Sequence, residues 1–383
     1  MVIMALDHTR DFFHSGAMAF RPEDLAQTSY TIFFTRWITH FCAPVFAFTT
    51  GLGAFLRLER GGGTPRSLSW FFFTRGLWLL FLEVTVVHIG FFFDVNFGVV
   101  IGLVFWSLGM SMMALALLLH LPWRVLLAVS VGMIALHNLL DKITPQQFGS
   151  YAWLWNVLHV SGGFPAFGRV IVIGYPLIPW IGVVSLGYCF GRLYSTRMEA
   201  GSLDPAVRSR FLIRLGIALT LLFVVLRAIN TYGDRFPWTP QARPGMTPLS
   251  FLNVSKYPPS LDFLLMTLGP AIAFLGWFDR TRPKDTHPLL VFGRTPMLYF
   301  VVHIPVIHIL AIGLTYLRYG ATSFLFMAPP TMGTDRKLFP PDYGWDLWVT
   351  YVAWLTVVAL MYPVCLWFMR LRQRRSDWWL SYL

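Results

Sequence analysis

Residues 295–317 read TPMLYFVVHIPVIHILAIGLTYL, 23 positions with no Asp, Glu, Lys or Arg. A helix needs about 20 mostly apolar residues to cross the hydrocarbon core of a bilayer, so this stretch predicts a transmembrane helix. Outward from it, eight further stretches of the same kind are expected, at residues 32–56, 70–93, 97–119, 124–140, 170–192, 211–229, 260–279 and 349–370, with the first-quoted one at 295–317. The opening MVIMAL, six apolar residues before Asp7, reads as the last turns of another helix whose start is missing, through a misplaced start or a truncated form. The expected fold is all-α, a polytopic integral membrane helix bundle of about ten transmembrane helices with the first truncated at its N-terminus.

Composition agrees with that reading. The chain has 383 residues, 56% hydrophobic and 17% aromatic, and only 13% are Asp, Glu, Lys or Arg, against about 25% in soluble domains. An ordinary soluble enzyme is excluded. The formal charge of +12 falls in short Lys and Arg clusters between the apolar runs, which is how membrane topology is set, so nucleic acid is excluded as a partner. Cys42, Cys189 and Cys365 all lie inside apolar runs. Three scattered thiols make neither a disulfide framework nor a zinc site, and no metal is expected. No cleavable signal peptide is read, since charge arrives at Asp7.

With the lost N-terminus taken as cytoplasmic, the inner loops hold 17 of the 30 Lys and Arg and are short and Arg-rich, as in RLERGGGTPR, DRTRPKDTH and RLRQRR. The positive-inside rule then places the C-terminus in the cytoplasm. The outer segments 141–169, 230–259 and 318–348 are longer and rich in Pro, Gly, Trp and Tyr, and read as ordered lids at the membrane face. With no internal repeat and no soluble boundary, residues 1–383 read as one transmembrane domain. Pro interruptions in GYPLIPW, TLGPAI and VVHIPVIH point to kinked helices, tolerated at that depth beside protein or a watery cavity.

Ionisable groups inside spans cost several kcal/mol and are functional candidates. Eight of the ten His map to the outer half or outer loops: His8, His14, His40, His88, His137, His159, His303 and His308. The densest cluster is MALDHTRDFFH, with Asp7, His8, Arg10, Asp11 and His14 at the outer end of the first helix. Helical spacing puts Asp7 and Asp11 on one face and Arg10 and His14 on another. An imidazole beside a carboxylate is the usual construction of a general base for a hydroxyl or amine; self-paired surface charges at a helix end are the plainer alternative. Arg36 and His40, four residues apart, would clamp an anionic or carbonyl group, or pair structurally with Asp7 or Asp11. Glu83, near mid-bilayer, would seek a buried partner. The HNLLD run of His137, Asn138 and Asp141 reads as a cap. His303 and His308 flank Pro305 and point about 140° apart on an unkinked helix, so each serves at most as a site wall or hydrogen-bond donor. Asn253 in NVS reads as incidental. RGGGTPR lacks the Lys and Ser/Thr of a P-loop, yet its charge and backbone N–H groups suit an anionic phosphate; a flexible turn is the alternative.

Several long motifs in order, MALDHTRDFF (4–13), THFCAPVFAFTTGLGAFL (39–56), YPLIPWIGVVSLGYCFG (175–191), SFLNVSKYPPSLDFLLMTLGP (250–270) and FGRTPMLYFVVHIPVIH (292–308), resemble bacterial membrane proteins related to heparan-alpha-glucosaminide N-acetyltransferase. The resemblance implies a membrane acyltransferase that takes acetyl from acetyl-CoA on the cytoplasmic side and passes it to a sugar amine or hydroxyl outside. The more distant acyltransferase-3 enzymes carry a His at the outer end of the first helix, eleven residues after an Arg; His8 matches that position, and the Arg would lie before Met1. The lysosomal enzyme's active His sits nearer His14. On this basis His8 or His14, oriented by Asp7 or Asp11, deprotonates the acceptor; Arg36 or His40 stabilises the oxyanion; His303 and His308 line the acceptor site; Arg75 and Arg66 meet the CoA phosphates. The expected partners are an acyl-CoA donor, a saccharide or other small polar acceptor and membrane lipid, with a homodimer allowed, in a bacterial inner membrane. A proton-coupled secondary transporter of a small polar solute, using Glu83, Arg36 and His40, is the alternative, and a non-catalytic membrane scaffold a third.

Overall fold

The computed structural model describes residues 1–383 apart from 62–63, 96, 196–203, 282–283, 328, 333, 376, 378–379, 381 and 383. Parts of three of the loops expected on the inner side and of the 318–348 loop, including Gly62 and Gly63 of RGGGTPR, thus lie outside the described residues.

Helix α1 (Val2–Phe13) is separated from α2 (Ser15–Ala19) by His14, which is extended at φ −82° and ψ 124°. Helix α3 (Tyr30–Trp37), N-capped by the Ser29 hydroxyl, continues through a 3₁₀ turn at Ile38–Phe41 into α4 (Cys42–Gly61). Helix α5 (Pro65–Leu82) starts with Pro after a Thr64 cap and passes through a π-helical turn, Glu83–Val87, into α6 (His88–Phe92). Strand β1 (Val99–Gly102) precedes α7 (Val104–Leu118) and α8 (Trp123–Leu136). The next segment carries α9 (Ala152–Leu158), β2 (Gly162–Ala166), β3 (Arg169–Ile173) and α10 (Leu177–Phe190). Helices α11 (Pro205–Ile229), α12 (Thr247–Leu252), α13 (Leu261–Phe278), α14 (Pro288–Arg294), α15 (Pro296–Tyr319) and α16 (Leu347–Arg374) complete the chain.

Among the described residues, eight helical stretches are long and apolar enough to cross a membrane: Tyr30–Gly61, Arg66–Phe92, Trp123–Leu140, Leu177–Tyr194, Pro205–Ile229, Leu261–Phe278, Pro296–Tyr319 and Leu347–Arg374. The protein is a polytopic helical membrane bundle. Two expected spans need correction. The one at 97–119 begins as strand, leaving the shorter apolar helix Val104–Leu118, and the one at 170–192 becomes helical only from Leu177. The β-branched runs Val99–Ile101 and Val170–Ile173 instead pair in parallel in a three-stranded sheet of order β1-β3-β2, with β2 antiparallel to β3. The sheet thus takes in Gly162–Ala166 of the 141–169 segment, paired with Arg169–Ile173.

Two packing devices fix the frame. Helices α4 and α10 meet through reciprocal glycines: a Cβ on Gly51 would strike the Val184 carbonyl oxygen, and one on Gly187 the Phe48 carbonyl oxygen. Small residues permit such backbone approach where lipid supplies no hydrophobic drive between helices. The second is Glu83. Its carboxylate, 2% exposed, accepts from Leu103 N at 2.7 Å, Phe105 N at 2.9 Å and Trp106 N at 3.3 Å. The first turn of α7 has orphan N–H groups, and a carboxylate from the neighbouring helix caps them. The buried partner expected for Glu83 is therefore backbone, and among the described residues no cation pairs with it. Glu83→Ala should cost roughly 3 kcal/mol by leaving buried donors unpaired, with Glu83→Gln milder; detergent-phase thermal unfolding checks both.

Candidate active site

The site is built where α1 meets α3, α15 and the loops Phe20–Ser29 and Asn253–Ser260. Asp7 sits at its centre. Its carboxylate is 2.5 Å from Arg36 Nη1, 3.2 Å from Arg10 Nη2 and 3.7 Å from Lys256 Nζ. Arg10 Nη2 also donates to Asp11 at 2.9 Å, and Arg36 Nε donates to Glu23 at 2.8 Å. Three cations thus face three carboxylates. Desolvated charges persist in a bundle only with such pairing.

The loop groups are held by their own networks. Asp234 accepts from Ser255 N (2.7 Å), Ser255 Oγ (2.8 Å) and Ser260 Oγ (2.6 Å), which shapes the turn that carries Lys256 inward. Lys256 is buried, and its Nζ stands 5.2 Å from the centre of the Tyr257 ring. Tyr257 is exposed, and its ring packs edge-on against Tyr175 with centres 5.2 Å apart. Burial raises the Tyr257 phenol, but Lys256 and Arg36 outweigh it and hold the group below its ordinary value. Burial likewise opposes the charge on Glu23, yet Arg36, with help from Arg10 and His40, pulls its carboxyl down to about 2.

Beside this cluster, His8 and His303 form a pair. His303 Nδ1 lies 2.8 Å from the Tyr299 carbonyl oxygen, which can only accept, so the network assigns the proton to Nδ1. Its Nε2 is then an acceptor, and His8 Nδ1–H donates to it at 2.8 Å. The lone pair of His8 is left on Nε2. The ring of His8 is partly exposed and packs edge-on to Phe91 and Phe300.

The remaining sequence candidates separate. His14 is buried outside α1, its chain bridged to Trp345 and its Nδ1 without a partner among the described residues; it does not share Arg10's helical face, because the helix ends at Phe13. His40 is 2% exposed, 4.0 Å from Glu23, with neither ring nitrogen hydrogen-bonded among the described residues. His308 is bonded by backbone, to Gly90 O at 3.1 Å and Leu325 O at 2.9 Å, away from His303. Arg75 stands at the other end of the bundle beside Phe71 and Tyr382, and Arg66 is exposed in the first turn of α5. His137 bonds Ile134 O and Pro259 O, and Asn138 caps Leu261, the structural roles expected of that run. Glu23, Lys256 and Tyr257 were not singled out from the sequence; charged and aromatic residues are ordinary in loops, and only the approach of the Phe20–Ser29 and Asn253–Ser260 loops to the cluster marks them. Among the described residues, no three or more His, Cys, Asp or Glu converge to hold a metal ion.

These features define a polytopic membrane protein with a desolvated acid–base cluster inside its bundle. Residues 12–226, more than half of the chain, match the family described as heparan-alpha-glucosaminide N-acetyltransferase, catalytic, and the chain belongs to that family. No match was found among curated proteins or among solved structures. The matched stretch begins after His8 and ends before Lys256 and His303, so the grouping of those residues stands on geometry alone.

Because the folded Glu23 carboxyl lies at about 2, below its ordinary 4.5, its contribution to stability is complete above pH 4.5 and lost as pH falls toward 2. The fall in unfolding temperature between pH 5 and pH 2 should shrink in Glu23→Gln relative to wild type; equal slopes would refute the assignment.

Proposed function

We propose that the chain is an acetyltransferase that moves an acetyl group from acetyl-CoA, taken from the basic, cytoplasmic end of the bundle, to an amine or hydroxyl of a saccharide at the opposite end. The observation that carries the reading is the chain of Tyr299 carbonyl, His303 and His8, which leaves a bare imidazole nitrogen next to a neutralised cluster of charges.

In this mechanism His8 Nε2 takes the proton of the acceptor as it attacks the thioester carbonyl. The tetrahedral intermediate collapses by breaking the C–S bond, and His8 returns the proton to the departing thiolate. One bond forms, one breaks, and no proton is left over for a hydroxyl acceptor. General-base assistance of this kind is worth about 10²–10⁴ in rate. His303 positions the base by fixing its tautomer. Asp7, adjacent in sequence, holds Arg36 and Lys256 beside the reacting centre and offsets the imidazolium charge that develops. His40, whose buried N–H has no protein acceptor among the described residues, is the donor for the oxyanion; Arg36 is committed to Asp7 and Glu23 and serves to orient the cluster. His14, outside the His8 and His303 pair, is given no catalytic step.

Purified full-length protein should release thiol from acetyl-CoA in the presence of D-glucosamine. His8→Ala should lower kcat by about 10² or more, and His303→Ala by a smaller factor with KM little changed, whereas His14→Ala should stay near wild type. Full activity in His8→Ala would end the general-base assignment, and uptake of solute by proteoliposomes without thiol release would favour transport instead.

A further inference from the structure

Residues 347–369 of α16 contain no Asp, Glu, Lys or Arg. Their helical rise of roughly 33 Å matches a hydrocarbon core of about 30 Å. Arg370 is the first charge beyond that stretch and so stands where acyl chains give way to headgroups. At this level α16 carries a groove of about 360 Å³, lined by Pro363, Leu366, Trp367, Arg370, Leu371 and Arg374. By helical periodicity the six positions fall in a stripe about 140° wide, one face of one helix that runs from apolar to basic. Trp367 is 61% exposed, and Pro363, Arg370 and Arg374 are exposed as well, so the groove opens toward lipid and away from the core.

The basic residues at this end differ in what they do. Arg372 Nη1 donates to the Arg294 carbonyl at 3.2 Å, and Arg375 lies 3.9 Å from Asp377. Arg370 and Arg374 make no hydrogen bond or ion pair among the described residues. They are four residues apart on one face, a spacing at which like charges repel. The helix dipole and the bias of basic residues toward one membrane face account for arginines in a last turn. Neither accounts for the two without partners being the two that line the groove. An anion between them would remove the repulsion, and the two unbridged oxygens of a phosphodiester fit guanidinium donors.

The apolar part of the groove says what else the anion carries. Trp367 lies one turn deeper than Arg370, the level at which indole rings anchor membrane proteins. Leu366 and Pro363 continue the stripe, and Pro363 interrupts the helical ladder at its deep end. Arg374 to Pro363 spans roughly 16 Å, about the depth of one leaflet of the core. A soluble anion would use the arginines alone. The whole stripe suits a molecule with a phosphate at one end and a hydrocarbon chain at the other.

We propose that this face of α16 binds an anionic phospholipid of the adjoining leaflet, its phosphodiester held by Arg370 and Arg374, its glycerol beside Trp367 and one acyl chain along Leu366 and Pro363. The inference is independent of the acetyl-transfer reading, and every residue it uses lies on the exposed face of α16, where substitution leaves the core intact.

Native mass spectrometry of the full chain, released from detergent containing dioleoyl phosphatidylcholine and dioleoyl phosphatidylglycerol, tests it. Wild type should retain phosphatidylglycerol in preference to phosphatidylcholine. Arg370→Gln and Arg374→Gln should each weaken that retention about tenfold, and Trp367→Ala should weaken it too. Arg375→Gln, which removes the same charge one residue further on, should stay near wild type. An equal loss in Arg375→Gln would reveal a diffuse attraction of any cation to anionic lipid, and undiminished retention in the two groove variants would place the lipid elsewhere; either result overturns the site. Glycerol 3-phosphate, which has the phosphate without the chains, should not displace the lipid at equal concentration; displacement would make this a soluble-anion site and end the proposal. If Trp367→Ala instead turns a dimer into a monomer with lipid retention unchanged, the groove is a contact between copies and the proposal fails.

Discussion

The burial of the Asp7 carboxylate among Arg10, Arg36 and Lys256 is the constraint on which the rest of the site depends. A charge at this depth survives only when neutralised, and here neutrality needs contributions from α1, α3 and a loop some 250 residues further along, with Asp11 and Glu23 balancing the surplus cations. Removing one member strands its partner in a poorly solvated place. The network therefore specifies how distant segments register against one another, and it does so beside the His8 and His303 pair.

The helices were legible because lipid imposes a length and composition rule that few other structures satisfy. The two spans misjudged at their starts failed for a definite reason. Val99–Ile101 and Val170–Ile173 are apolar and β-branched, and continuous apolar runs do not distinguish a strand from a buried helix segment by periodicity. Pairing between them was visible only once the chain was folded.

Within the site, Asp7, His8, Arg36 and His303 could be singled out because ionisable groups inside apolar runs are costly. The angular argument about His303 and His308 holds in three dimensions: α15 continues through Pro305, and the two rings serve different neighbours. His14 was read on Arg10's helical face because helical spacing was extended one residue beyond the helix end at Phe13, and Lys256 was missed because nothing in a Pro-rich loop announces that its charge turns inward. The family match covers α2 through most of α11 and so spans the Arg36 and His40 side of the site, while His8 and His303 come from outside that stretch.

His308 gives α15 a second attachment. By bonding Gly90 and Leu325 on either side, it ties the helix carrying His303 to α6 and to the loop beyond α15. A helix moored at two levels resists sliding or tilting as a unit. Such an arrangement suits chemistry carried out across a stationary barrier, in which the acyl group travels and the scaffold stays still, better than a cycle that exposes one cavity first to one face of the membrane and then to the other.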